Sequence, residues 1–234
     1  MRMRKRSNLA PRMQRCAGLL VTQPEALRGR WLAEFPGMDR LYVELGCGKG
    51  RFTADTAETL DRTLLVAVEK VPDAMILAME RVQARGIGNV RFLDIDAEKL
   101  PELFAPGEAE RIYINFCDPW PKSRDAKLRL TAPSFLRLYA DVLAEGGQIH
   151  FKTDNTPLFD WSVQQFEAEG WALSEVSHDL HANGPVGVMT DYEAKFHELG
   201  TKINRCVAVK DVLPPQPEPE GPETGDGTDE EAQP

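Results

Sequence analysis

The chain has 234 residues, of which 42% are hydrophobic and 28% charged, and its formal net charge is -9. This length and composition are ordinary for a soluble globular protein with one core. No apolar run approaches the roughly 20 residues of a membrane span, and the N-terminus has no signal-peptide pattern, so we predict a cytoplasmic protein without a membrane partner.

The charge is unevenly distributed along the chain. The first fifteen residues contain no acid and six bases, Arg2, Arg4, Lys5, Arg6, Arg12 and Arg15. This pattern is typical of an arm that contacts phosphates, although a solvated terminus explains it equally well. From residue 211 onward there are eight acids and no base, so residues 1–210 carry 28 bases against 29 acids. The net charge therefore does not exclude nucleic acid as a partner.

Three regions follow from this distribution and from the apolar pattern. We predict a basic, partly ordered arm over residues 1–30 and one α/β domain over residues 31–212. Residues 213–234 are mostly Pro, Glu, Gly, Thr and Asp, which cannot offset their ordering entropy by burial. We predict that this acidic tail is disordered, and its role stays open.

Short apolar runs alternate with helix-like stretches inside the domain. Five runs have the length of buried strands, at residues 41–45, 64–68, 90–93, 112–116 and 149–151. Helices are predicted over residues 52–60, 72–85 and 133–144, the last ended by Gly146 and Gly147. This alternation predicts a doubly wound, mostly parallel sheet. Residues 171–177 and 203–209 are predicted to add an antiparallel edge, and the long connection between them is a candidate site segment.

A glycine-rich turn follows the first predicted strand. Glycine lets the backbone turn sharply beside a ligand, and ligands of open parallel sheets bind beyond the carboxyl ends of the strands. The glycines are Gly46, Gly48 and Gly50, whereas a dinucleotide fingerprint would place its third glycine at Arg51. With Glu44 before it, the E-x-G-x-G-x-G pattern resembles the first motif of class I S-adenosylmethionine methyltransferases, which have a Rossmann-like sheet.

Acids also follow the next two predicted strands. Glu69 ends the second strand, where a carboxylate can accept hydrogen bonds from two ribose hydroxyls. Asp96 follows the third, where the class binds the adenine amino group, although an acid there also serves as a helix cap. Glu44 suits a ligand that carries a sulfonium and an ammonium group. Together the acids favour S-adenosyl-L-methionine as the cofactor.

The fourth predicted strand leads into the loop Asp118-Pro119-Trp120-Pro121-Lys122. The prolines fix φ and remove backbone donors, so the loop is expected to be stiff. In this class the end of the fourth strand faces the transferable methyl group. Trp120 either stacks on an extruded base or packs in the core.

At this loop the chain resembles the bacterial tRNA (guanine-N7-)-methyltransferases, over nearly all of residues 1–210. The proline-containing loop and the element T-D-Y-E are specific to that family. The matching segments are Met1 to Lys5, Glu44 to Gly50, Asn115 to Lys122, Ile149 to Asp154, and Thr190 to Glu193 with Phe196 and Gly200. The resemblance implies methyl transfer to N7 of the guanosine at position 46, in the variable loop of tRNA. It implies no obligate protein partner, in a monomer or homodimer.

The resemblance also implies roles for the matching residues. Asp118 would be catalytic. Contacts to the cofactor would come from Glu44, Gly46, Gly48, Gly50, Glu69, Asp96 and Asp118. Contacts to the substrate would come from Lys122, Asp154, Thr190, Asp191, Tyr192 and Glu193. Contacts to RNA would come from Arg124, Lys127 and Arg129. The family usually reads R-H-x-K-R-R-L in this last stretch, and with Asp125 and Leu128 the chain lacks the histidine and one arginine.

Two features have a purely structural interpretation. Thr190 and Glu193 are spaced as a capping box at a helix start, which is compatible with substrate binding. The four cysteines show no C-x-x-C pair, and His178 and His181 have no third ligand in view, so we predict buried thiols and no metal.

Two rival functions remain. An amino-group methyltransferase acting on adenine or cytosine carries a D-P-P-Y-like loop at the same strand, which the loop here resembles imperfectly because its prolines are not consecutive. A non-catalytic cofactor-binding or RNA-binding subunit is the second rival, and the retained acids Glu44, Glu69, Asp96 and Asp118 argue against it.

Overall fold

Residues 8–210 are described by the structure, a computed structural model. Arg2, Arg4, Lys5, Arg6 and the predicted acidic tail lie outside the described residues. The strands are β1 Arg40–Leu45, β2 Thr63–Val68, β3 Val90–Leu93, β4 Ala109–Asn115, β5 Leu143–Thr153, β6 Ala172–Ser177 and β7 Asn204–Val209. The α-helices are α1 Leu9–Arg15, α2 Trp31–Glu34, α3 Arg51–Thr59, α4 Pro72–Ala84, α5 Leu100–Leu103, α6 Pro133–Val142, α7 Thr156–Ala168 and α8 Asp191–Glu198.

The seven strands of residues 8–210 form one sheet in the order β3-β2-β1-β4-β5-β7-β6. Strands β1 to β5 are parallel, and β7 lies antiparallel between β5 and β6. The doubly wound, mostly parallel sheet is therefore confirmed, with its antiparallel pairings at one end. The carboxyl ends of β1 to β4 meet where the strand order reverses, which is the usual ligand-binding edge of such a sheet.

The end of α6 differs from the sequence prediction. The helix stops at Val142, and β5 begins at once with Leu143, which pairs with Ala109 of β4. Gly146 and Gly147 thus lie within β5 and do not end the helix. Strand pairing prevails here because the buried Leu143 joins the sheet beside Ala109 directly after Val142, which makes β5 much longer than the predicted run.

The sheet carries a hydrophobic core on each face because its central strands are apolar on both sides. One core includes Val43 and Ile114, and the other includes Leu65 and Ala67. Helices α5, α6 and α7 contribute to the first core, and α3 and α4 contribute to the second. Helix α7 was not predicted, although Asn155 caps it by accepting a hydrogen bond from the Leu158 amide at 2.8 Å.

The N-terminal segment packs against the domain from α1 onward. Cys16 is only 2% exposed and belongs to the core that contains α4. The amide of Val21 donates to the carbonyl of Phe92 at 3.0 Å, beside the edge strand β3. Arg12 of α1 forms a two-point ion pair with Glu80 of α4. Within residues 8–210, no helix has both the length and the apolarity needed to cross a membrane.

Candidate functional site

The glycine turn after β1 is held against the end of β2. Gly46 and Gly48 have φ of 78° and 56°, which disfavour residues with a Cβ. The amide of Gly46 donates to the carbonyl of Val68 at 2.9 Å, and the amide of Gly48 donates to Oε2 of Glu69 at 3.0 Å. The turn and the second strand-end acid therefore form one unit.

Glu44 lies next to the turn with only 2% of its surface exposed. Its Oε2 accepts a hydrogen bond of 2.6 Å from the hydroxyl of Thr53 in α3. Burial raises the pKa of Glu44 to about 7, and the hydrogen bond from Thr53 and the charge of Lys152 oppose that rise. This buried carboxyl group is thus poised to ionise when a cation binds nearby.

Glu69 and Asp96 line the same cavity beyond the strand ends. Burial raises the pKa of Glu69, and hydrogen bonds from the amides of Gly48 and Val71 oppose the rise. Asp96 caps the short 3-10 helix Ala97–Lys99 and pairs with Lys70 at 3.3 Å. The helix cap expected of Asp96 is confirmed, and its side chain also lines the cavity.

This cavity has a volume of about 250 Å³. Its wall brings together the start of the turn, two of the strand-end acids and the loop after β4, through Gly46, Glu69, Asp96, Asn115, Asp118 and Trp120. The predicted cofactor contacts Glu44, Gly48 and Gly50 are not part of this wall. Asn115 was seen only as part of a motif. It is 8% exposed, and both its Oδ1 and its Nδ2 lack a hydrogen-bond partner. An orphaned amide in the wall fits a cavity built for a polar ligand.

The loop after β4 is held in a strained conformation. Phe116 and Trp120 have φ of 54° and 41°, in the left-handed region that non-glycine residues rarely adopt. They flank Asp118, which is exposed at the cavity. Arg129 donates from Nε to the carbonyl of Pro119 and from Nη2 to that of Trp120, both at 3.0 Å.

The surroundings of Arg129 differ from those of the other predicted RNA contacts. Its guanidinium lies 4.4 Å from the ring centre of Trp161 in α7. The group therefore stacks on Trp161 and also donates to the two loop carbonyls. Lys127 is exposed, as is Arg124, which lies 3.7 Å from Asp125. Because Asp125 stands where the family usually has histidine, the charge of Arg124 is partly offset.

The T-D-Y-E element forms the predicted capping box at the start of α8. Thr190 accepts from the amide of Glu193 at 2.8 Å, and Glu193 accepts from the amide of Thr190 at 3.2 Å. Glu193 has no exposed surface and also accepts from Lys152 at 2.7 Å and His181 at 3.0 Å. Its carboxylate therefore faces inward and fixes the element.

The other members of the element have separate environments. Asp191 pairs with Arg81 of α4 at 2.9 Å. Tyr192 is 50% exposed, and its ring lies 5.5 Å from that of Phe116, next to the strained loop. Burial, with the charge of Asp154 nearby, raises the pKa of Tyr192. Tyr192 and Asp154 thus lie near each other, between the loop after β4 and the end of β5. Lys122 is exposed after the loop.

The two histidines have different partners. His178 lies 2.8 Å from Asp160, whereas His181 accepts from the amide of Val186 at 3.1 Å besides contacting Glu193. Within the described range, no group of three or more His, Cys, Asp or Glu side chains is arranged to hold a metal ion.

Comparison with known proteins finds relatives that are named as methyltransferases. A family model described as "Putative methyltransferase" matches residues 39–206. The tRNA (guanine-N(7)-)-methyltransferase of Bacillus velezensis is 42% identical over 191 residues, which are 81% of the chain and 88% of that protein. The protein of the same name from Exiguobacterium sibiricum is 40% identical over 209 residues, or 89% of the chain and 98% of that protein.

A solved structure shares the fold. The 16S rRNA methyltransferase KamB aligns with a TM-score of 0.59 at 18% identity, covering 81% of the chain and 92% of that protein. At this identity the likeness concerns the arrangement of strands and helices alone.

Proposed function

Because the chain belongs to the tRNA (guanine-N(7)-)-methyltransferase family, we propose that it methylates N7 of a guanosine in tRNA with S-adenosyl-L-methionine as the donor. The target would be position 46, in the variable loop. The observation that carries the proposal is that the glycine turn, the strand-end acids Glu69 and Asp96 and the Asp118 loop line one cavity, with Glu44 buried beside the turn.

The residues present fit the donor. Glu69 uses one lone pair on each oxygen for the amides of Gly48 and Val71, which leaves capacity to accept from two ribose hydroxyls. Asp96 would accept from the adenine amino group, and the ionised form of Glu44 would stabilise the positive charges of the donor. Bound S-adenosyl-L-methionine would supply an electrophilic methyl group on its sulfonium.

The acceptor needs no general base. Guanine N7 is already a lone-pair acceptor beside O6, so catalysis depends on holding it in line with the methyl group and the sulfur. Such positioning contributes at most roughly 7–11 kcal/mol. Asp118 would orient the base by accepting from its N1–H and amino group and would stabilise the charge that the purine gains. Trp120, held at the cavity by its strained backbone, would stack on the base.

The proposal is tested with Asp118→Asn and Asp118→Ala. Both remove the carboxylate, and we expect methyl transfer to fall by about a hundredfold or more, since groups placed at developing charge typically contribute that much. Transfer is measured with radiolabelled donor and purified tRNA, and the product is mapped by cleavage specific for 7-methylguanosine. Asp61→Asn serves as the control because that exposed side chain precedes β2, at the opposite end of the strand from the cavity.

Three outcomes would contradict the assignment. An Asp118→Ala variant with full activity would remove its catalytic role. Methylated adenine or cytosine in the product would favour an amino-group methyltransferase. A protein that binds tRNA without transferring label would favour a non-catalytic subunit.

A further inference from the structure

A second cavity lies on the face of the sheet that carries α3. It has a volume of about 350 Å³, within the range of roughly 300–1,000 Å³ that small-molecule sites occupy. Strands β4, β5 and β7 form its floor, and α3 and residues 180–188 form its sides. Asn115 belongs to the wall of both cavities, so this cavity adjoins the methyl-donor site.

Unpaired polar atoms concentrate in this cavity. In residues 8–210, six buried side-chain nitrogen or oxygen atoms lack a hydrogen-bond partner, and four belong to residues that line it. They are Oγ1 of Thr56, Nε of Arg111 and both amide atoms of Asn115. Thr56 is 5% exposed and Asn115 8%. Because buried polar groups are normally paired, this concentration indicates a polar ligand.

The floor of the cavity is positively charged. Lys152 pairs with Glu193, and Arg205 pairs with Glu175. Arg111 has no carboxylate partner within the described residues, because it donates only to the neutral hydroxyl of Tyr113 and the amide oxygen of Gln148, both at 3.2 Å. One cation thus remains uncompensated in a partly buried place.

The positively charged side chains of the floor also act on His150. Burial, together with the charges of Arg111, Arg205 and Lys152, lowers the pKa of His150 to about 3. The imidazole is therefore neutral at physiological pH, and the uncompensated positive charge is that of Arg111. An anion is the ligand that this field favours.

We propose that this cavity binds the phosphate group of a nucleotide, held by Arg111 and Thr56 with Asn115 at the end shared with the methyl-donor site. An arginine guanidinium and a hydroxyl are common donors to phosphate oxygens. Phe52 and Tyr113 add aromatic surface to the wall. The nucleotide is either part of the RNA substrate, in which case the inference rests on the proposed function, or a free small molecule.

The first experiment measures binding of guanosine monophosphate and of inorganic phosphate to the full-length protein by calorimetry. We expect saturable binding, weakened about fivefold by Thr56→Val and roughly tenfold by Arg111→Gln, since each variant removes a hydrogen bond or a charged donor. Arg91→Gln is the matched control, because Arg91 stacks on Phe35 outside the cavity and should bind as the wild type does.

The second experiment measures tRNA binding and methyl transfer with the same variants. If the phosphate belongs to the RNA, Arg111→Gln raises the KM for tRNA more than the KM for the methyl donor. It also reduces the slope of log affinity against log salt by about 0.7–0.9, the value of one lost phosphate contact. Binding of guanosine monophosphate without this change of slope assigns the cavity to a free nucleotide.

The inference is overturned if folded Thr56→Val and Arg111→Gln bind both phosphates and tRNA as the wild type does. It is also overturned if the wild-type protein binds no phosphate and Arg111→Gln leaves the salt slope of tRNA binding unchanged. Thr56→Val has nearly the shape of the native residue, so it keeps the test valid should Arg111→Gln not fold. The calorimetric arm needs no methyl transfer, so its result is independent of the Asp118 variants.

Discussion

Glu44 combines deep burial with a position next to the glycine turn, so we expect its protonation to be linked both to folding and to binding of the proposed donor. Its pKa rises from 4.5 to about 7 on folding, so the folded protein holds the proton more tightly than the unfolded chain. The corresponding stability is complete below pH 4.5 and is lost as the pH rises through 7. A bound cationic donor would instead lower the pKa of Glu44, because a positive charge stabilises the ionised carboxylate.

Affinity for S-adenosyl-L-methionine should therefore depend on pH. We expect the wild-type Kd to rise as the pH falls from about 8 to about 6, since Glu44 becomes protonated through its pKa of about 7. Glu44→Gln should bind more weakly at pH 8 and lose this dependence. Calorimetry across that pH range measures both, with Asp125→Asn as a control for surface charge. An unchanged pH profile in Glu44→Gln would contradict the linkage.

At the scale of elements, the loop from Phe116 to Trp120 depends on residues outside it. Two left-handed residues flank Asp118, and such conformations persist only where the surrounding structure holds them. Arg129 does this with two hydrogen bonds to successive carbonyls while stacked on Trp161. We therefore expect Arg129 to support activity by holding the loop in place.

Arg129→Lys separates this role from RNA contact, because lysine keeps the charge but loses the planar fork. We expect methyl transfer to fall about tenfold or more, as in Arg129→Gln, while the salt dependence of tRNA binding stays that of the wild type. Lys127→Gln is the control, and we expect it to reduce the salt slope of tRNA binding while turnover stays close to that of the wild type. Full activity of Arg129→Lys, together with a reduced salt slope of tRNA binding in Arg129→Gln, would show that Arg129 contacts RNA and does not position the loop.

The start of α3 makes a close approach to α4 at Gly50. This residue has φ of 74°, and a Cβ placed on it would overlap Ala78. Gly50→Ala should cost more stability than Gly86→Ala, which has a similar φ of 66° but open space around it. Denaturant unfolding measures both, and Ala78→Gly should recover part of the Gly50→Ala loss. Equal losses at the two glycines would show that backbone strain alone matters.

The sequence predicts elements and strand-end acids well because both follow local rules. Buried strands are continuous apolar runs, and Glu44, Glu69 and Asp96 are placed by the strands that precede them. The unpaired amide of Asn115 and the hydrogen bonds of Arg129 depend on residues distant along the chain, so no local pattern indicates them. Helix α7 was a missed signal, since Asn155 and the proline after Thr156 mark its start.

For the whole molecule, charge placement governs the encounter with tRNA. Arg12 and Arg15 both lie within ion-pair distance of Glu80, so we expect the phosphate contacts of the N-terminus to come from the bases among residues 1–6. Deleting residues 1–6 should weaken tRNA binding more at low salt than at high salt, because each lost phosphate contact removes about 0.7–0.9 from the salt slope. Replacing only their basic residues with Gln separates charge from length. An unchanged slope would refute a phosphate-binding arm.

The position of β7 has a consequence for biosynthesis. As the last strand of residues 8–210, it enters the sheet between β5 and β6, both of which are made before it. Until residue 209 has left the ribosome, these two strands present unpaired edges, and such edges are templates for pairing with other chains. Nascent chains of this protein are therefore expected to need protection from aggregation until translation of the domain is complete.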